Sequence, residues 1–80
     1  MATGFALLSI SPLYENEVYQ KLRTTSGVVE VHPIFGEYDI LLKIECPDID
    51  SIGEVVIKRI RSIKGVVDTK TLIGTNSLTG

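Results

Sequence analysis

The sequence contains no tryptophan, one cysteine, one histidine and three prolines in 80 residues. The lone Cys46 excludes an intrachain disulfide and with it the stapled scaffold of small secreted domains, so a reducing, cytoplasmic setting fits best. With one histidine and one cysteine, no ligand pair of the CxxC or HxxxH kind exists, and no glycine-rich phosphate loop is present; no metal and no cofactor are expected. Positive charge is also scarce. Eight Lys plus Arg stand against ten Asp plus Glu, giving a net charge of −2 and a pI near 5.2. A protein that grips a phosphate backbone concentrates positive charge, so direct nucleic-acid binding is not expected. No apolar run nears the roughly 18 residues of a membrane span. The apolar stretch Phe5–Ser11 has no basic residue before it and reads as a strand, not a leader, so no membrane partner is expected.

What the chain does have is apolar residues, at 44% of the sequence with a mean hydropathy of +0.25. That places it outside the polar, highly charged compositions that stay disordered. Its length falls below the roughly 100 to 200 residues of a typical domain, so a single module is expected. Small domains bury a smaller share of their surface than large ones, and so much apolar material in so short a chain implies self-association.

The chain repeats itself. Gly27-Val28-Val29-Glu30 aligns with Gly65-Val66-Val67-Asp68, and the register continues from Ile34-Phe35-Gly36 to Leu72-Ile73-Gly74. Phe5–Ser11 aligns with Asp39–Glu45 at a slightly different offset. Each half then carries strand, helix and strand. The first strand, Phe5 to Ser11, stops at Pro12, and a helix from Leu13 to Thr25 follows with Val18 and Leu22 on its apolar face, flanked by Tyr14 or Tyr19. Gly27 ends that helix. The second strand, Val28 to Phe35, contains Pro33, which belongs at a sheet edge. Gly36 permits a tight reversal into the third strand, Tyr38 to Cys46. Pro47 with Asp48 or Ser51 opens a second helix, and Ser51 and Glu54 have capping-box spacing. Ile52, Val55, Val56, Ile60 and Ile63 form its buried stripe. Gly65 closes it, and the last strand runs from Val66 to Ile73 before a polar tail, Thr75 to Gly80, expected to fray.

Two strand–helix–strand units in this order specify an α+β, ferredoxin-like βαββαβ fold with a four-stranded antiparallel sheet, order 4-1-3-2. Residues 1–75 form the single domain and 76–80 a flexible tail. Ala6, Leu8, Ile10, Ile40, Leu42 and Ile44 share the face under the helices. Phe5, Leu7 and Leu41 point the other way, onto a face nothing in the chain covers, and are expected to form the interface of a homodimer packed sheet to sheet.

Catalytic chemistry is thinly represented. His32 could serve as a general base, since imidazole titrates near neutral pH, yet no partner for it is identifiable and a partly exposed polar residue is the simpler reading. Cys46 has no neighbouring His or basic cluster and reads as an inert thiol. No catalytic residue is assigned. Gly36-Glu37-Tyr38-Asp39 is more specified. Turn chemistry alone accounts for it if Gly36 supplies backbone freedom, Tyr38 packs on the sheet and Asp39 bonds nearby amides. The same atoms suit a free amino acid, with amides around Gly36 holding a carboxylate and Asp39 meeting an ammonium group. Thr69 and Thr71, on one face of the last strand, offer hydroxyls, though β-branched residues are common in strands for other reasons.

The pattern from Phe5 to Ile73 resembles the effector-binding regulatory (RAM) domain of the Lrp/AsnC family. The matching pieces are Gly27-Val28, Gly36-Glu37-Tyr38-Asp39-Ile40, Gly65-Val66 and Thr69-Lys70-Thr71-Leu72-Ile73. Family regulators usually carry a helix-turn-helix before this domain. Here the first strand begins almost at Met1, so the chain looks like the stand-alone form. The resemblance implies dimers that pack sheet to sheet as a dimeric α/β barrel and assemble into rings, often octamers, with small effectors between dimers. It places the effector pocket at Gly36, Tyr38, Asp39, Thr69 and Thr71. The function it implies is amino-acid sensing, with transcription modulated through a full-length regulator. The alternatives are a small dimeric αβ-barrel enzyme of monooxygenase or isomerase type, or a purely structural assembly domain.

Overall fold

The structure, a computed structural model, describes residues 1–73. The expected domain end at residue 75 and the tail at 76–80 lie outside the described residues. In chain order the elements are β1 (Ala2–Ile10), a 3-10 turn (Pro12–Tyr14), α1 (Glu15–Arg23), β2 (Val28–Pro33), β3 (Ile40–Cys46), α2 (Ile49–Glu54), a π-helical turn (Val55–Ile60) and β4 (Val66–Ile73). The sheet order is β2-β3-β1-β4, with every neighbouring pair antiparallel. This is the ferredoxin-like arrangement expected, with Pro33 on an edge strand, where its missing N–H costs no central ladder bond.

Several element ends differ from the sequence reading, each for a local reason. β1 begins at Ala2 and not Phe5, because Ala2, Thr3 and Gly4 pair with Cys46, Glu45 and Ile44. The helix expected from Leu13 opens as a 3-10 turn, in which Tyr14 N–H donates to the Ser11 carbonyl at 3.0 Å. It ends at Arg23, where the hydroxyls of Thr24 and Thr25 donate to the Lys21 carbonyl at 3.1 and 2.7 Å, a bond that competes with continued helix. β2 stops at Pro33 and not Phe35, and β3 starts at Ile40 and not Tyr38. The connection is therefore a wider loop, closed by Ile34 N–H to the Asp39 carbonyl at 2.9 Å. The Ser51–Glu54 capping box is not the start of α2. Asp48 is the N-cap, its Oδ1 accepting from Ser51 N–H at 2.8 Å, which leaves Ser51 inside the helix. That bond also holds the Asp48 carboxyl below its ordinary value.

The core lies between one sheet face and the helices. Ala6, Leu8, Ile10, Ile40, Leu42, Ile44 and Cys46 from the sheet meet Val18, Leu22, Ile52, Val55, Val56 and Ile60, all buried. Ile63 is only half-buried. No polar or charged residue is buried among the described residues, so this layer is held by apolar burial at about 1.5–3 kcal/mol for each large side chain. Among the described residues no helix is long and apolar enough to cross a membrane.

The two halves are stitched crosswise at repeat-equivalent positions. Ser11 N–H donates to the Gly65 carbonyl at 2.8 Å, and Glu45 N–H to the Gly27 carbonyl at 2.9 Å. Both glycines have positive φ, +97° at Gly27 and +105° at Gly65. Gly65 is doubly constrained: a Cβ there would sit 2.5 Å from Tyr14 Cβ and 2.9 Å from Val18 Cγ2. Gly65→Ala combines a left-handed backbone penalty with overpacking and should cost about 2–4 kcal/mol, read as a lower urea midpoint with unchanged slope.

Candidate functional site

The loop between β2 and β3 carries Gly36, Tyr38 and Asp39. Gly36 has a φ of +115° with nothing within 4 Å of where a Cβ would stand, so backbone conformation alone calls for glycine there. Tyr38 is half-buried. Asp39 is tied down from two sides: its N–H donates to the Leu8 carbonyl at 2.8 Å, and its Oδ2 accepts from Ile10 N–H at 2.8 Å. One carboxylate oxygen thus does the work of a main-chain acceptor at the end of β1, where the turn-chemistry reading expects a bond to a nearby amide of the loop. Asp39 also lines a groove of about 300 Å³ with Ile10, Pro12, Glu15, Asn16, Tyr19, Pro33 and Ile40. Its walls are largely apolar, with two carboxylates and an amide at the rim.

The register places Thr69 beside Leu8 and Thr71 beside Ala6, so both threonines belong to the helix side of β4. Thr69 is half-buried and Thr71 exposed, because cover thins toward the edge strand. Ile40, Leu8 and Thr69 form one row across β3, β1 and β4, which puts the hairpin and Thr69 about 10 Å apart. Thr69 lines a different recess, of about 290 Å³, with Arg61, Val66, Val67 and Asp68. Among the described residues, Asp39 and Thr69 therefore line separate recesses of the one chain.

The opposite sheet face is open. One row across it reads His32, Leu41, Leu7, Lys70 and the next Glu30, Lys43, Phe5, Leu72. Phe5 is 37% and Leu72 47% exposed, while Leu7 and Leu41 are half-buried. An apolar centre is bordered on the β2 side by charge. His32 Nε2 lies 2.8 Å from Glu30 Oε1, and Lys43 Nζ lies 3.7 Å from a carboxylate oxygen of each of Glu30 and Glu45. The His32 hydrogen bond is the main cause holding the Glu30 carboxyl below its usual 4.5; desolvation opposes it and Lys43 adds to it. His32 thus has a carboxylate partner, on an exposed sheet face and not in a cavity.

This fold, with its paired glycines and its hairpin loop, matches a known family over nearly the whole sequence: the sequence model for the Lrp/AsnC ligand binding domain aligns with residues 3–78. The chain belongs to the Lrp/AsnC family. It is 39% identical over 74 residues to the uncharacterized HTH-type transcriptional regulator PF0250 of Pyrococcus furiosus, covering 89% of this chain and 49% of that protein. The chain thus spans about half the length of the regulators it matches. It is also 41% identical over 69 residues to homocitrate synthase of Sulfurisphaera tokodaii, covering 82% of this chain but 15% of the enzyme. Among solved structures, FFRP-DM1 superposes with a TM-score of 0.87 at 29% identity, covering 94% of this chain and 100% of the other. The complex of the transcriptional regulator NMB0573 of Neisseria meningitidis with L-Met superposes at 0.85 with 20% identity, covering 96% and 51%.

Within this Lrp/AsnC domain, sequence reasoning missed the amide of Ile10 as the partner of Asp39. It also missed the α1 residues Glu15, Asn16 and Tyr19 along the groove, and Leu72 and the Glu30–His32–Lys43–Glu45 group on the open face. The period-two alternation of Glu30 with His32 and of Lys70 with Leu72 carries the last of these. The others need the register.

Two measurements check these contacts. Asp39→Ala leaves the Ile10 N–H without its acceptor and should cost about 1–3 kcal/mol in urea unfolding, with faster hydrogen exchange at Ile10; Asp39→Asn, which keeps an acceptor, should cost less. Glu30 is depressed in the folded chain, so its pairing stabilises above the ordinary glutamate range and that contribution is lost as pH falls through the lower folded value. Stability followed by circular dichroism into acid should therefore fall less steeply in Glu30→Gln than in the parent, and added salt should shrink the difference.

Proposed function

We propose that the chain is an amino-acid-sensing and oligomerisation module that modulates transcription through full-length Lrp/AsnC-type regulators, without enzymatic activity and in the cytoplasm. In this reading Phe5, Leu7 and Leu41, joined by Leu72, are the centre of a sheet-to-sheet homodimer. Dimers assemble further, up to an octameric ring, and Gly36, Tyr38, Asp39, Thr69 and Thr71 hold a free amino acid between them. Domain 1–75 then acts as one unit with 76–80 as its tail.

The observation that carries this reading is that Asp39 and Thr69 line two separate grooves of one chain, in a domain whose family is defined by ligand binding. A site divided in this way is completed when a second copy brings the hairpin of one chain toward the β4 groove of another. The NMB0573 complex with L-Met supports an amino acid as the ligand class. The open apolar strip supports the dimer, since faces of this kind mark interfaces. The likeness to homocitrate synthase spans 15% of that enzyme, which fits a shared accessory domain and transfers no active site.

Light scattering on a sizing column, with and without a mixture of the common amino acids, tests the proposal. A species larger than a dimer whose size or thermal stability responds to the mixture is the expected result. Leu7→Glu and Leu41→Glu should each reduce the mass to that of a monomer, because a charge is placed in the centre of the interface. A dimer indifferent to every amino acid would overturn the sensing role, and a parent chain that is monomeric would overturn the assembly.

A further inference from the structure

The end of the sheet opposite the hairpin holds a third recess, of about 340 Å³, and its chemistry differs from that of the other two. Its floor is the close of β3 at Cys46 and Pro47 and the entry to β2 at Ser26 and Gly27; its wall is the helical segment with Glu54, Lys58 and Arg59. Along β3 this lies about 20 Å from the Asp39 loop.

Three observations converge there. First, the wall is the π-helical turn Val55–Ile60, marked by Arg61 N–H donating to the Val56 carbonyl at 2.9 Å. Such turns are rare and frequently sit at functional sites. Second, Glu54 and Lys58 have the spacing and order of a favourable i,i+4 pair, yet that pair is not made. The ion pairs among the described residues are His32–Glu30, Lys43–Glu30 and Lys43–Glu45, so Glu54, Lys58 and Arg59 all keep their charges free. Third, Glu45, which also borders the recess, pairs with Lys43 and with neither cation of the recess. The free charges are two cations and one carboxylate.

The geometry points to a second ligand site at this recess, for a dicarboxylic amino acid: two carboxylates to meet Lys58 and Arg59 and one ammonium to meet Glu54. A guanidinium grips a carboxylate through paired hydrogen bonds and an ammonium does so as a point charge, so two acidic groups are held in distinguishable ways. The recess is at the small end of ligand pockets, which suits a free amino acid. The site lies within one chain and does not depend on the hairpin site or on assembly.

Binding of L-glutamate and L-aspartate to the full chain, followed by equilibrium dialysis, tests the assignment. The side chains of Lys58 and Arg59 are exposed, so Lys58→Gln and Arg59→Gln should fold as the parent does and should each weaken binding about tenfold or more. Glutarate, which lacks the amine, should bind more weakly than glutamate to the parent and about equally well to Glu54→Gln. The inference is overturned if neither acidic amino acid binds saturably, or if binding survives both cation substitutions undiminished. The second result would move the ligand away from this recess.

Discussion

Two hydrogen bonds to glycine carbonyls set the geometry of this domain. Gly27 and Gly65 stand immediately before β2 and β4 in a left-handed conformation, and each carbonyl accepts from the other half, from Glu45 of β3 and from Ser11 just past β1. These bonds fix where each edge strand begins relative to its neighbour. Register follows from that start, and register decides which side chains face the helices. Gly65 carries the tighter constraint, because Tyr14 of the 3-10 turn and Val18 of α1 pack against it with no space for a side chain.

The two sheet faces then take different roles. One is closed by apolar side chains from both helical segments and contains no buried polar group among the described residues. It supplies rigidity, and ionisable groups are left to the rims and to the open face. The open face joins an apolar strip to a charged border at Glu30, His32, Lys43 and Glu45, the composition of a surface that associates selectively. The Asp39 groove and the Thr69 recess sit at one end of the sheet and the Cys46–Pro47 recess at the other, where strands give way to loops. Binding residues on loops held by a rigid scaffold are the usual outcome of this arrangement.

Much of this was legible in the residues. The internal repeat, the Leu-Leu cores of β1 and β3, Pro33 on an edge and the stripes Val18–Leu22 and Ile52–Ile60 specify the fold, because period and punctuation are local properties. The hairpin was legible as a specified segment, but its detail was not. Asp39 bonds the amide of Ile10, 29 positions away, and no pattern near Asp39 announces that partner. The same applies to α2: helical periodicity is visible, whereas its change to π-helical hydrogen bonding at Val55 depends on how Val55, Val56 and Ile60 seat together in the core.

The sequence by itself therefore determined the order of elements, the edge and centre strands and the apolar face of each helix, since these rest on neighbours within a few residues. Only the tertiary structure decided that Asp39 and Thr69 lie in separate grooves, that His32 meets Glu30 on the open face, and that Lys58 and Arg59 share a recess with Ser26 and Gly27. Those relations join residues distant in the chain, and the register that brings them together exists only once the sheet has formed.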